Sequence, residues 1–277
     1  MEPYNVKIIT YPDLTKQYRI YQNMIDSDDL SIPVRPHKKG DRNPFDGKVC
    51  KDILVDIKDY KNHVDEVSLK RTKKKVYDYA KSNEWEWFVT FTFSPDKVNR
   101  YDYDECTKYL SKWLNNLRCK YKSTALSYLV VPEQHKDGAY HFHGLFSGIN
   151  ECQIVWTGKY VVRRVRGLRS KFVRTKEKIY KIGSYKLGWM TATRVREMEK
   201  VTSYITKYIT KDMLDGLHGR KRYWCSRNLV LPLEEVFILD ATDRFILSQE
   251  LDDSSRFRKV SEYSYGDMTQ SVNIYEV

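Results

Sequence analysis

Two histidines separated by one residue, His141 and His143, lie in the stretch AYHFHGLFSG, Ala139 to Gly148. Aromatic and apolar residues bounded by Gly138 and Gly148 predict a β-strand there. Side chains i and i+2 of a strand share a face, so both imidazoles point one way and Phe142 the other. Alone, such a pair is more often two hydrogen-bonded histidines on a half-buried sheet than a metal site, because two ligands do not complete one. The preceding stretch, ALSYLVVPEQH (Ala125 to His135), predicts a second strand, joined to the first by HKDG as a hairpin. A two-residue Asp137-Gly138 turn pairs Gln134 with His141. A three-residue Lys136-Asp137-Gly138 loop, with Gly138 left-handed, pairs Glu133 with His141 instead. Both loops are chemically reasonable. The second is preferred, because a carboxylate is the better partner for a divalent cation beside imidazoles. It gives Glu133, His141 and His143 as ligands for a divalent ion, Mg²⁺ or Mn²⁺, with open positions for substrate. His135 shares that face and is a candidate fourth ligand.

A second cluster lies in SYITKYITKD, where YITK occurs twice and brings together Tyr204, Lys207, Tyr208 and Lys211. On a helix these four fall within an arc of about 100°. Met198, Val201, Ile205 and Ile209 form the neighbouring apolar face, suited to packing on a sheet. The tyrosines could simply flank the core, yet two of them one turn apart, each followed by Lys at i+3, exceed what packing requires. A phenol with a pKa of about 10 is a poor nucleophile at neutral pH. It therefore needs an electrophile activated by a metal ion on a phosphate oxygen and a lysine to steady the developing charge. Attack on a DNA phosphodiester would leave a phosphotyrosine that keeps much of the bond energy for rejoining, without ATP.

The elements that must position these groups are legible along the chain. EWEWFVTFTF (Glu84 to Phe93) predicts a core strand ended by Ser94-Pro95-Asp96. A helix follows from about Asp104 to Tyr121, with Cys106, Tyr109, Leu110, Trp113, Leu114 and Leu117 as its stripe. Val64 to Ser82 predicts another helix, whose KRTKKK run suits either a DNA-facing or a solvated surface. GWMTATRV (Gly188 to Val195) predicts a strand, Arg196 to Leu214 a helix ending near Gly216, and KRYWCSRNL (Lys221 to Leu229) a last strand. Nearer the N-terminus, Val6–Thr10 and Cys50–Ile57 are strand-like, around a Pro/Gly-rich loop from Ile32 to Gly47.

Between Lys159 and Lys186 eleven Lys or Arg face a single acid, Glu177. Alternation there predicts a basic hairpin or arm. Arg163, Arg164, Arg166, Arg169, Lys171 and Arg174 are its candidate DNA contacts, with interleaved rings for base stacking; a solvated insertion loop is the alternative. Across the chain 49 Lys plus Arg oppose 37 Asp plus Glu, a net charge of +12 that favours a polyanionic partner. Five scattered cysteines without a CxxC argue for reduced thiols and against a disulfide frame or zinc knuckle. No signal pattern opens the sequence and no apolar run has the length of a membrane span. The expectation is a soluble protein without a membrane partner. The tail from Leu233 to Val277 turns acidic, with ten Asp or Glu against four Lys or Arg.

FTF (Phe91 to Phe93), HFH (His141 to His143) and YITKYITK, in this order, resemble the three motifs of the HUH-endonuclease superfamily of rolling-circle replication initiators. The likeness is greatest to the two-tyrosine initiators of small single-stranded-DNA phages, of gene A and gene II type, and their plasmid relatives. It covers roughly Val76 to Leu231. The resemblance implies an α+β fold with a five-stranded antiparallel sheet, the histidine pair on a central strand, and the tyrosine helix against the metal. It implies nicking of an origin's plus strand, giving a 5′-phosphotyrosyl enzyme and a free 3′-OH. Tyr204 and Tyr208 would alternate through cleavage and joining. The family pattern places the acidic ligand eight residues before the first His, on Glu133. The organisation expected is an N-terminal extension over 1–62, a nuclease domain over 63–232 with a basic insertion at about 158–187, and an acidic C-terminal extension over 233–277. Single-stranded or origin hairpin DNA is the implied partner, in the cytoplasm of a bacterial host. No GxxxxGK[ST] occurs, so the resemblance implies a host helicase and polymerase. A relaxase or transposase of the same superfamily, a non-catalytic origin-binding regulator, and a metal hydrolase using activated water are the competing readings.

Overall fold

The structure, a computed structural model, describes residues 2–25, 57–120, 125–165, 171–209, 220–265 and 268–277. The chain divides into two units, one of Met1–Ser68 with Leu231–Val277, the other of Leu69–Val230. The class is α+β, and each unit has its own antiparallel sheet.

The site sits in the second unit. Its strands are β3 (Trp87–Phe93), β4 (Ser127–Gln134), β5 (Tyr140–Ser147), β6 (Ile154–Val165), β7 (Lys171–Ile182), β8 (Gly188–Arg194) and the two-residue β9 (Trp224–Cys225). They form one sheet in the order β6-β7-β8-β3-β5-β4-β9. The basic hairpin β6–β7 extends the sheet at one edge, which brings it to seven strands where the resemblance implied five. Alternation in WFVTFTF sends Trp87, Val89, Phe91 and Phe93 to one face, all buried. Helix α2 (Tyr103–Lys120) covers that face with its buried stripe Cys106, Leu110, Trp113, Leu114 and Leu117. Trp113 meets both Phe91 and Phe146 edge-on.

Two expected elements are shorter than their sequence suggests. Helix α3 runs from Met198 to Lys207, not to Leu214, and Tyr208 and Ile209 close it with i→i+3 backbone bonds. The β-branched pairs in YITKYIT lose side-chain freedom in a helix, and Thr206 Oγ1 turns back on the Thr202 carbonyl at 2.7 Å. Of Lys221–Leu229 only Trp224 and Cys225 pair as strand. In helix α1 (Ile57–Lys81), Ile57 opens a helix, correcting its strand-like reading. The rest of Cys50–Ile57, and the loop from 32 to 47, lie outside the described residues.

The first unit joins β1 (Tyr4–Thr10) and β2 (Lys16–Ile25) to β10 (Leu233–Phe237), β11 (Phe257–Tyr265) and β12 (Met268–Glu276), in the order β10-β1-β2-β12-β11. Helix α4 (Ala241–Ser254) packs Leu251 against Ile20 and Tyr275. Both terminal stretches thus contribute to a single sheet.

Candidate active site

The β4–β5 hairpin fixes who meets the histidines. Gly138 adopts φ +84°, the left-handed conformation that glycine takes without strain. The loop closes with His135 N–H donating to the Ala139 carbonyl and Gly138 N–H to that of His135. The resulting register pairs Glu133 with His141 and Val131 with His143. This is the three-residue-loop register, and it puts Glu133, His141 and His143 on one face.

On the other side of β5, β3 places Thr92 opposite His141 and Thr90 opposite His143. Their hydroxyl oxygens lie 3.1 and 3.2 Å from the respective Nδ1 atoms. With each hydroxyl accepting from Nδ1–H, Nε2 carries the lone pair that a metal needs. The alternation in VTFTF shows that Thr90 and Thr92 share a face, but their role depends on which strand β3 adjoins, and the sequence does not display that. Thr92→Val keeps the shape and deletes the hydroxyl. It should weaken Mn²⁺ binding about 10- to 100-fold, as read by calorimetry; unchanged affinity would show that Thr92 does not orient His141.

Both rings are held neutral. Burial pushes the His141 imidazole down to about 4, with help from neighbouring His135 and against the pull of Glu133. Burial also lowers His143, while its contact with Glu133 opposes the shift. In the metal-free protein the unfolded chain takes up a proton at position 141 near pH 6.5, whereas the folded chain does so near 4. Stability from this group is therefore complete above pH 6.5 and declines as pH falls towards 4. Imidazole proton NMR should find His141 titrating well below 6.5; a midpoint at the ordinary value would contradict its burial.

Among the described residues, no three His, Cys, Asp or Glu side chains already converge as a metal cage. Glu133 Oε2 lies 2.7 Å from His143 Nε2 and 3.4 Å from His135 Nε2, and the His135 ring stacks on His141 at 3.7 Å. The donors nonetheless fit a hard divalent ion with imidazole tolerance. An octahedral ion with bonds of about 2.1 Å holds adjacent donors about 3 Å apart, close to the Glu133–His143 separation. Bound between them, it would replace the proton they share.

Helix α3 lies against this face. Ile205 and Ile209 are buried in the core, with Met198 and Val201 partly buried beside them. The Tyr208 ring stacks on His143 with centroids 3.7 Å apart and planes 8° apart. Tyr204 meets Tyr208 and Phe88 edge-on, each at 5.3 Å, and stays 47% exposed. Burial, then a hydrogen bond to Tyr204 and the charge of Glu133, push the Tyr208 phenol well above its ordinary value. Lys207 is exposed and has no ion-pair partner among the described residues. Lys211 lies outside them.

Arg100 was not singled out by sequence. It precedes α2, its charge helps to lower the His141 pKa, and its Nε is buried without a hydrogen-bond partner among the described residues. Its Nη2 reaches Tyr101 Oη at 3.1 Å and Asp137 at 3.6 Å. No periodicity or spacing in the sequence marks it.

The basic hairpin places its cations on both faces. Arg163 pairs with Glu177 at 3.0 Å, and Arg174 lies over the Tyr160 ring at 4.0 Å. Arg164 lies on β6, exposed. Lys171 begins β7, whereas Arg166 and Arg169 lie outside the described residues. The hairpin is separate from the Glu133–His141–His143–tyrosine cluster.

Residues 86–213 match a family model described as a replication-associated protein of the ORF2 and gene II protein type. The match runs from the end of the loop before β3, through the histidine strand and basic hairpin, to beyond the tyrosine helix. It supports a replication-associated role. No curated protein and no solved structure matches the chain. No helix among the described residues is long and apolar enough to cross a membrane.

Proposed function

We propose that the chain is a site-specific single-strand DNA endonuclease and ligase that starts and ends rolling-circle replication through a tyrosine-linked intermediate. One observation carries the reading: Tyr208, bonded to Tyr204, stacks directly on His143 beside Glu133 and His141. The family match, with its replication-associated description, supports the same reading.

A Tyr204 or Tyr208 oxygen would attack the scissile phosphorus as the phenol gives up its proton. The P–O bond to the 3′ carbon's oxygen would break, leaving a free 3′-OH and a 5′-phosphotyrosine. Mg²⁺ or Mn²⁺ held by Glu133, His141 and His143 would polarise a non-bridging phosphate oxygen. Lys207, with Lys211, would steady negative charge on the phenolate or phosphate. Two tyrosines allow a second cleavage while the first strand end is still attached, and reversal of the step joins ends without ATP. Unwinding and copying would fall to a host helicase and polymerase in the bacterial cytoplasm.

The test is an adduct assay. Single-stranded DNA spanning the parent replicon's origin, labelled on both sides of candidate sites, is mixed with protein and Mn²⁺ or Mg²⁺, then run in a denaturing gel. A detergent-stable adduct on the downstream 5′ end is expected. Cleavage without an adduct would indicate a hydrolase using water, and binding with neither an origin-binding regulator.

A further inference from the structure

Trp189 is out of place as a core residue. It lies on β8 with 73% of its surface exposed, although a tryptophan side chain gains more from burial than almost any other. Its neighbours on the strand, Met190 and Ala192, are buried on the opposite face.

Its position is fixed by the sheet. Trp189 pairs with Thr92, and Thr92 pairs with His141. Paired residues of antiparallel strands share a face, so Trp189, Thr92, His141 and Glu133 form one row across β8, β3, β5 and β4. Two strand spacings, about 10 Å, separate Trp189 from the His141 position. The preceding residue pins the strand there: a Cβ on Gly188 would come within 2.2 Å of the Thr92 carbonyl oxygen. The tyrosines of α3 cover the rows of Phe88 and His143 and leave Trp189 open. A cation accompanies the ring: exposed Lys159, on the basic hairpin, holds its Nζ 5.9 Å from the ring centroid.

We infer that Trp189 and Lys159 form a nucleotide subsite, in which a base of the single strand stacks on the indole and its phosphate meets the lysine. The subsite rests on the endonuclease reading for its place in the reaction, and names how the strand is held within a few nucleotides of the scissile bond. A stacked base needs a flat exposed ring, a phosphate needs a mobile cation beside it, and both must continue the row that holds the metal donors. Trp189 and Lys159 meet all three requirements. Stacking carries little sequence information, so this subsite would position the strand, and base-edge contacts elsewhere would choose the nick site.

Trp156 supplies the control. It is also exposed and also meets a lysine, Lys178. Through its partner Tyr180, whose ring packs against Trp87, it belongs to the α2 face. Affinity of the full-length protein for a fluorescent origin single strand is measured in EDTA, where cleavage is silent. Trp189→Ala should weaken binding about 5- to 150-fold, Trp189→Phe much less, and Trp156→Ala hardly at all. Lys159→Gln should reduce the slope of log affinity against log salt by about 0.7. Unchanged affinity in Trp189→Ala, or an equal loss in Trp156→Ala, overturns the subsite. Wild-type adduct formation is scored in parallel: its absence removes the endonuclease reading while the binding comparison still decides whether the indole holds a base.

Discussion

Replacing both Tyr204 and Tyr208 by Phe should leave origin binding within about twofold and remove every trace of covalent adduct, with strand joining lost by at least about 10³-fold. Phenylalanine keeps the ring that Tyr208 lays on His143 and the edge contact of Tyr204 with Phe88. The fold should therefore survive, and a thermal melt would verify that. Each single variant tells more. If the tyrosines alternate, either one alone supports a first cleavage, and the full cycle of cutting and rejoining fails in both. Persistent adduct in the double variant would place the nucleophile elsewhere. Persistent cleavage without adduct would mean that water attacks.

His141→Ala and His143→Ala should each lower cleavage at least about 10³-fold at saturating DNA, because the phosphate loses the electrostatic activation on which a weak phenol nucleophile depends. Binding in EDTA should be unaffected, which separates the effect from loss of DNA. The two variants differ in stability. His143 is 6% exposed and contacts Thr90, Glu133, Phe88 and Tyr208, so its truncation empties a packed position. His141→Ala removes a more exposed ring and is the cleaner test. Undiminished cleavage in His141→Ala would remove the metal argument.

Much of the site is legible in the sequence because short-range rules govern it. A period of two puts His141 and His143 on one face, and the turn chemistry of Gly138 sets the register that delivers Glu133. A helical period groups Tyr204 with Tyr208. What the sequence hides is adjacency between segments far apart in the chain. Thr90, Thr92 and Trp189 are each readable as strand residues, yet their work follows from β3 lying between β5 and β8. The five-stranded sheet of the first unit is hidden for the same reason. Alternation marks β1 as a strand but does not announce that β10 and β12 complete its sheet. The end of α3 is a different kind of miss, since a hydrophobic stripe runs on where the backbone does not.

That five-stranded sheet has a consequence for how the protein is made. β1 and β2 pair with each other early, but their outer edges wait for β10 and β12. Tyr21 of β2 pairs with Val272, a partner that ordinary synthesis delivers on the order of ten to fifty seconds later. During that interval the nascent hairpin presents two unpaired edges, the kind of surface that recruits strands from other chains. The segment Leu69–Val230, continuous in sequence, faces no such wait. The order of birth is therefore catalytic body first and split sheet last, and chaperone demand should fall on the opening hairpin rather than on the nuclease core.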